Sequence, residues 1–302
     1  MIGQILVDGV TSGAMIGLGA IGLTLVYAIL RFANFAHGEF ASWGAYFTLL
    51  IATALAAAFG TGAPIGPLSF GWPVLMALPL GMVLTGGLAL ALDRVLFRPL
   101  RRHGAEIVLV IASFGASLSL RAALEFIFTD RPQYFSHGIA IALPIGLGLR
   151  ATADQIGLLG AAIVLMGVMH AVMTRTRLGR AMRATSENPD LARLAGIDVA
   201  AVVRATWLIG GALAAAAGVF LGITVQIRPD MGFDLLLPLF AAAILGGIGS
   251  VPGALLGGLI IGLAEALAVP LVGAQYRAAV SFVILLAVLL VRPRGLFGVG
   301  RE

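Results

Sequence analysis

The feature that most restricts this chain is a series of apolar runs, each about twenty residues long, that fills most of its 302 residues. An α-helix of that length crosses about 30 Å of hydrocarbon. The runs read as spans at 5–30, 38–59, 72–92, 105–128, 155–174, 204–226, 236–249, 253–271 and 276–291. Span 236–249 is short, so it is expected as a broken or re-entrant helix, tolerated where protein shields its backbone ends. A membrane β-barrel would alternate apolar and polar residues in segments of about ten, and no such alternation is present. The predicted fold is an all-α polytopic membrane protein with eight to nine transmembrane helices, one of them short or broken, in a single domain over 1–302.

Composition supports this and excludes other classes. Hydrophobic residues make up 60% and charged residues only 11%, so the surface must face a lipid bilayer. All 19 basic residues are arginine and the net charge is +5. The arginines cluster in short loops beside apolar runs, which points to membrane orientation rather than nucleic acid. There is no cysteine, hence no disulfide or thiolate chemistry. The start, MIGQILVDGV, lacks a basic leader and reads as a retained first helix. Lysine-free, Ala/Gly/Leu-rich usage suggests a bacterial source.

Three segments carry most of the positive charge. They are the stretch with Arg94, Arg98, Arg101 and Arg102, the loop 175–204, and the tail with Arg292, Arg294 and Arg301. All three are expected on the cytoplasmic side, which makes the C-terminus cytoplasmic. The connection 129–154 balances Arg131 and Arg150 with Asp130 and Asp154 and is expected outside. Arg31 weakly favours an external N-terminus.

Forty-one glycines lie largely inside the runs. In a membrane they allow helix backbones to approach closely. Gly9, Gly13 and Gly17 form one set spaced by four; Gly249, Gly253 and Gly257 form another. Each is expected to make a smooth helix face for packing, a subunit contact or a solute path.

Polar residues are scarce enough to single out. The stretch ANFAHGEF, 33–40, holds Asn34, His37 and Glu39 at the start of a span. On a helix Asn34 and His37 share a face and Glu39 points nearly opposite, toward Ser42, Trp43 and Tyr46. That geometry disfavours a His–Glu catalytic pair. Two readings stand: a helix break, or the lining of a polar passage. Glu265 reads as pairing with a neighbouring helix or lying near its outer end. Arg121 and Glu125 read as an i, i+4 pair, and Gln226, Arg228 and Asp230 as an external turn. No HExxH helix, GxSxG elbow or phosphate loop ending in lysine occurs. No catalytic residue, metal ligand or cofactor is therefore assigned.

The loop 175–204 contains TSENPDLARLAGIDV. Ser186 or Asn188 can cap a short helix, with Pro189 in its first turn and Asp190 where the dipole favours it. Leu191, Leu194 and Ala195 share a face and Gly196 stops it. Such a helix suits a partner's groove; lying on the membrane surface, or simple linker structure, is the alternative.

NFAHGEF, LGRAMRATSENPDLARLAGID and AAAILGGIGSVPGALLGGLIIGLAE, in that order, resemble the permease subunit of branched-chain amino-acid ABC importers, specifically the permease bearing NFAHGE. The resemblance spans nearly the whole chain. It implies a bacterial inner-membrane protein and a hetero- or homodimer with a second permease. It also implies two cytoplasmic ATPase subunits and a periplasmic substrate-binding protein. The loop with Glu187, Asn188, Ala192, Gly196 and Ile197 resembles the family's ATPase-coupling segment. Asn34, His37 and Glu39 become candidates for the translocation path, which would open alternately to the two sides. Urea or short-amide importers use similar permeases, so that solute class is the near alternative. An intramembrane enzyme would need a second polar cluster at matching depth, and none is found. An ion-coupled secondary transporter would need charged relay residues in several spans, and here they are sparse.

Overall fold

The structure is a computed structural model that describes residues 2–60, 64–103, 106–136, 138, 142–146, 149–292 and 295–297. Arg294 and Arg301 of the basic tail lie outside these residues. Twelve α-helices are described: α1 (Ile2–Leu30), α2 (His37–Phe59), α3 (Trp72–Leu92), α4 (Arg98–His103), α5 (Glu106–Phe128), α6 (Ala153–Arg175), α7 (Arg177–Glu187), α8 (Pro189–Leu194), α9 (Val199–Thr224), α10 (Met231–Gly246), α11 (Val251–Val272) and α12 (Arg277–Val291). Eight helical segments are long and apolar enough to cross a membrane, and α10 is a shorter ninth. The protein is a polytopic helical membrane protein.

Local chemistry sets the helix ends. Thr152 and Gln155 form a reciprocal capping box at the start of α6. The Asp198 carboxylate accepts from the Ala201 N–H at 2.9 Å to open α9, and Ser250 accepts from Gly253 at 3.1 Å to open α11. Two stretches expected as loops are helical. Beyond α3 the chain continues through a π-helical turn, Asp93–Phe97, into α4. Asp93 is buried there and pairs with Arg101 at 2.5 Å. The basic start of the 175–204 loop forms α7, opened by Thr176 accepting from the Gly179 N–H at 3.1 Å. The otherwise helical fold also carries a small antiparallel hairpin, β1 (Ala142–Gly146) with β2 (Leu149–Thr152), in the connection before α6.

Helix α10 begins five residues before the expected 236, because the charges at Arg228, Asp230 and Asp234 pair among themselves and do not keep the segment out of the bundle. Both of its ends are held by protein. Ser42 Oγ donates to the Pro229 carbonyl at 3.2 Å and accepts from the Gly232 N–H at 2.8 Å. At the other end Leu245 and Gly246 carbonyls accept from Leu296 at 2.7 Å and Phe297 at 3.1 Å. Polar backbone at membrane depth is thus paired within the chain, as hydrocarbon requires.

Helices α1 and α9 form the interior and α12 lies at the edge. Glycine permits the closest approaches. A Cβ on Gly258 or Gly262 of α11 would overlap the α1 backbone at Gly17 and Gly13, and one on Gly218 of α9 would overlap Ala41 of α2. Gly253 and Gly257 face the backbone of α10 at Gly246 and Ala242. Gly249 stands apart from them: it precedes α11, in a turn with φ of 88°, and its N–H donates to Thr24 Oγ1 at 2.7 Å.

Candidate functional site

Helix α1 ends at Leu30, and the next six residues are not helical. Arg31 reverses the chain with a left-handed φ of 57°. A side chain there costs about 1 kcal/mol or more, where glycine costs nothing. Residues 32–36 then run back into the bundle. Asn34 makes the turn that starts α2: its carboxamide oxygen accepts from the Ala36 N–H at 3.2 Å, and its carbonyl from the His37 N–H at 3.2 Å. Ser113 of α5 accepts from the Phe35 N–H at 3.0 Å, and its hydroxyl lies 2.8 Å from the Val110 carbonyl and 3.3 Å from that of Ala33, to either of which it can donate.

From this break α2 departs between α1 and α5. His37 Nε2 donates to the Gly19 carbonyl of α1 at 3.2 Å. Glu39 Oε1 accepts from Ser117 Oγ of α5 at 3.2 Å, and Trp43 Nε1 donates to Leu120 of α5 at 3.1 Å. Gly19 and Ser117 lie near the middle of their helices, so the break sits at mid-span depth. Asn34, His37 and Glu39 are each 0% exposed. The start of α2 therefore presents His37 and Glu39 to different neighbours, with no contact that would make them a catalytic pair. Each of the three keeps one buried polar atom without a hydrogen-bond partner among the described residues: Asn34 Nδ2, His37 Nδ1 and Glu39 Oε2. A buried unpaired polar atom costs about 1–3 kcal/mol. A cluster of three is uncommon in a single stable arrangement.

The 175–204 segment lies at the end of the bundle where α1 stops. Asn188 Oδ1 accepts from the Asp190 and Leu191 N–H groups, both at 3.0 Å, and starts α8. Gly196, at φ 81°, ends it. The Gly196 N–H donates to the Arg193 carbonyl and the Ile197 N–H to that of Ala192, each at 3.0 Å. This paired closure is a Schellman motif. Ala192 is buried, whereas Leu191 and Leu194 are 63% and 87% exposed. Ser186 is not the cap; its hydroxyl donates back to the Arg183 carbonyl at 2.8 Å.

One residue joins the two regions, and the sequence singled it out only for orientation. The Arg31 guanidinium donates to the carbonyls of Ser186 at 3.3 Å and Glu187 at 3.1 Å, the last turn of α7. A cation there satisfies orphan carbonyls and complements the helix dipole. In a chain with 41 glycines, an arginine in the left-handed position argues that its side chain is needed. The available signal was its isolation between two apolar runs. A cavity of about 1080 Å³ opens beside this contact, lined by Tyr27, Arg31, His170, Glu187, Asn188 and Ser250 among others.

The profile of a family described as "Branched-chain amino acid transport system / permease component" matches residues 5–289. The chain is 35% identical over 300 residues to the high-affinity branched-chain amino acid transport system permease protein BraD of Pseudomonas aeruginosa, covering 98% of this chain and 95% of that one. It is 35% identical over 301 residues to the corresponding LivH protein of Escherichia coli, with the same coverage. A probable LivH permease of Methanocaldococcus jannaschii is 29% identical over 312 residues, covering 98% and 92%. Matched over almost its whole length, this chain belongs to the family of branched-chain amino acid transport system permease components.

Proposed function

We propose that the chain is the membrane subunit of an ATP-driven importer of branched-chain amino acids in a bacterial inner membrane. The relatives' names support the solute. The observation that carries the mechanism is α8: a capped six-residue helix whose two leucines are exposed, with nothing among the described residues covering them. An apolar face outside the spans suits a groove on a cytoplasmic ATPase. Glu187, Asn188, Ala192, Gly196 and Ile197 hold that face in shape. The segments carrying Arg94, Arg98 and Arg101 border the same cavity as Arg193 and Arg204, so this end of the bundle gathers basic charge and is read as cytoplasmic. The C-terminal segment, packed on the adjoining end of α10, is read as cytoplasmic too.

In this reading the chain supplies passage and lever, while partners supply energy and affinity. Two ATPases bind ATP and close; a second permease completes the membrane unit; an external binding protein delivers the solute. Closure displaces α8 and α7. Arg31 passes that displacement to the end of α1 and to the break. There Asn34, His37 and Glu39 exchange partners between two arrangements, one opening toward each side. Their unpaired atoms support a second arrangement in which they are paired. Gly253 and Gly257 let α11 stay against α10 during the change.

Reconstitution tests the reading. Vesicles hold this chain with its candidate partners, ATP inside and binding protein outside, and uptake of radiolabelled leucine is compared with urea. ATP-dependent leucine uptake that stops when any partner is omitted is the expected result. Urea uptake without leucine changes the solute, and gradient-driven uptake by the chain alone overturns the ATPase coupling.

A further inference from the structure

A second cavity, of about 560 Å³, opens at the opposite end of the bundle from α8. Helix α1 contributes Asp8, Thr11, Ser12, Met15 and Ile16, and α9, α10, α11 and α12 close the sides. Its floor is apolar: Met15 and Ile16 are buried, and the α1 residues beyond them, from Leu18 to Val26, pack into the core. Charge of both signs lines its rim, with Arg228, Asp234 and Arg277 at least partly exposed and Glu265 alone buried.

Most of that charge is committed. Arg228 lies between Asp230 at 3.2 Å and Asp234 at 3.0 Å. Asp8 accepts from Gln4 at 3.3 Å and Gln155 at 3.2 Å. Two groups are not. Arg277, at the head of α12, makes no ion pair among the described residues. Glu265 of α11 is only 7% exposed; Ser281 Oγ donates to its Oε1, and no donor to its Oε2 is found among the described residues. A carboxylate with one hydroxyl donor and a guanidinium at the head of the next helix thus line one cavity. An α-amino acid carries a carboxylate and an ammonium on one carbon, so it presents the complement of this pair.

We propose that this cavity receives a zwitterionic aliphatic α-amino acid. Arg277 takes the carboxylate, Glu265 the ammonium, and Met15, Leu235 and Pro238 the side chain. The inference rests on the importer reading and adds the place where a delivered solute first meets the membrane subunit.

The absence of cysteine gives a clean test. Ser12→Cys places one thiol on the cavity wall of the assembled transporter, and its labelling by a membrane-impermeant maleimide is measured with added ligand. L-Leucine is expected to slow labelling; leucinamide, 4-methylpentanoate and urea, which lack one or both charges, are expected to need at least tenfold more. Arg277→Gln or Glu265→Gln in that background is expected to raise the protecting leucine concentration about tenfold, the worth of one charge-assisted hydrogen bond. The Gln variant of Glu265 keeps the acceptor for Ser281, and co-elution of all subunits checks assembly. Leucine uptake by the unsubstituted transporter, measured in parallel, separates the two failures. Uptake with protection unchanged in both variants, or equal protection by the singly charged analogues, overturns the site alone. No uptake and no protection by leucine overturns the solute reading and the site with it.

Discussion

The α1–α2 break and the α7–α8 segment invert the ordinary burial rule in opposite directions. The break buries an amide, an imidazole and a carboxylate at mid-span, each with an unpaired polar atom. The segment exposes two leucines outside the spans. Between them, Leu18, Ile21, Leu23 and Leu25 of α1 are buried in one apolar core. The difference teaches that the two regions are under different demands. The break holds polar groups where they cost most, so it is read as having a second arrangement. The segment is rigid in itself, capped by Asn188 and closed by Gly196, and is read as needing a second molecule. Arg31 is the contact that joins them.

Substitutions can separate the two demands. The largest expected effect is Gly38→Val. Its Cβ would overlap the Gly232 backbone of α10, at a cost of about 4 kcal/mol or more, so no assembled chain is recovered on size exclusion. Next, Leu191→Asp with Leu194→Asp removes apolar burial worth about 3 kcal/mol at the proposed ATPase contact. Subunit association falls about a hundredfold, while the melting temperature of the chain itself hardly moves. A melting shift as large as the loss of association would mean that α8 packs inward. Glu39→Ala comes third, destabilising by about 2 kcal/mol through the lost Ser117 bond and the space left behind. Glu39→Gln keeps the acceptor and is expected to melt near the unsubstituted chain yet transport more slowly. Equal transport would leave Glu39 a packing residue. Last comes Arg31→Ala, which costs about 1 kcal/mol of stability, with its main effect on coupling: ATP turnover persists while uptake falls.

The sequence disclosed these regions unequally, for physical reasons. Spans were legible because hydropathy alone determines what can cross lipid; all nine expected runs correspond to helices. The α8 cap was legible because Asn188, Pro189, Asp190 and Gly196 act within one turn of their own positions. The tertiary partners of the break were not. Nothing local to ANFAHGEF says that His37 meets Gly19 or that Glu39 meets Ser117, 18 and 78 positions away. The π-helical turn at Asp93 was hidden for the same reason: arginines that read as a loop continue a helix because Arg101 reaches back to a buried carboxylate. The early start of α10 depended on Ser42, far away in sequence, accepting a backbone N–H.

The central claim is that α7 and the end of α1 move as one body. In the cysteine-free chain, Arg31→Cys with Ser186→Cys removes the guanidinium bridge and places two thiols across it. ATP-driven leucine uptake by the assembled transporter is then measured before and after a short bis-thiol cross-linker. The account predicts weak uptake with free thiols, recovery on cross-linking, and normal uptake in Ser186→Cys alone. Cross-linking that forms but halts uptake would show that transport requires the two helices to part, and would contradict the account.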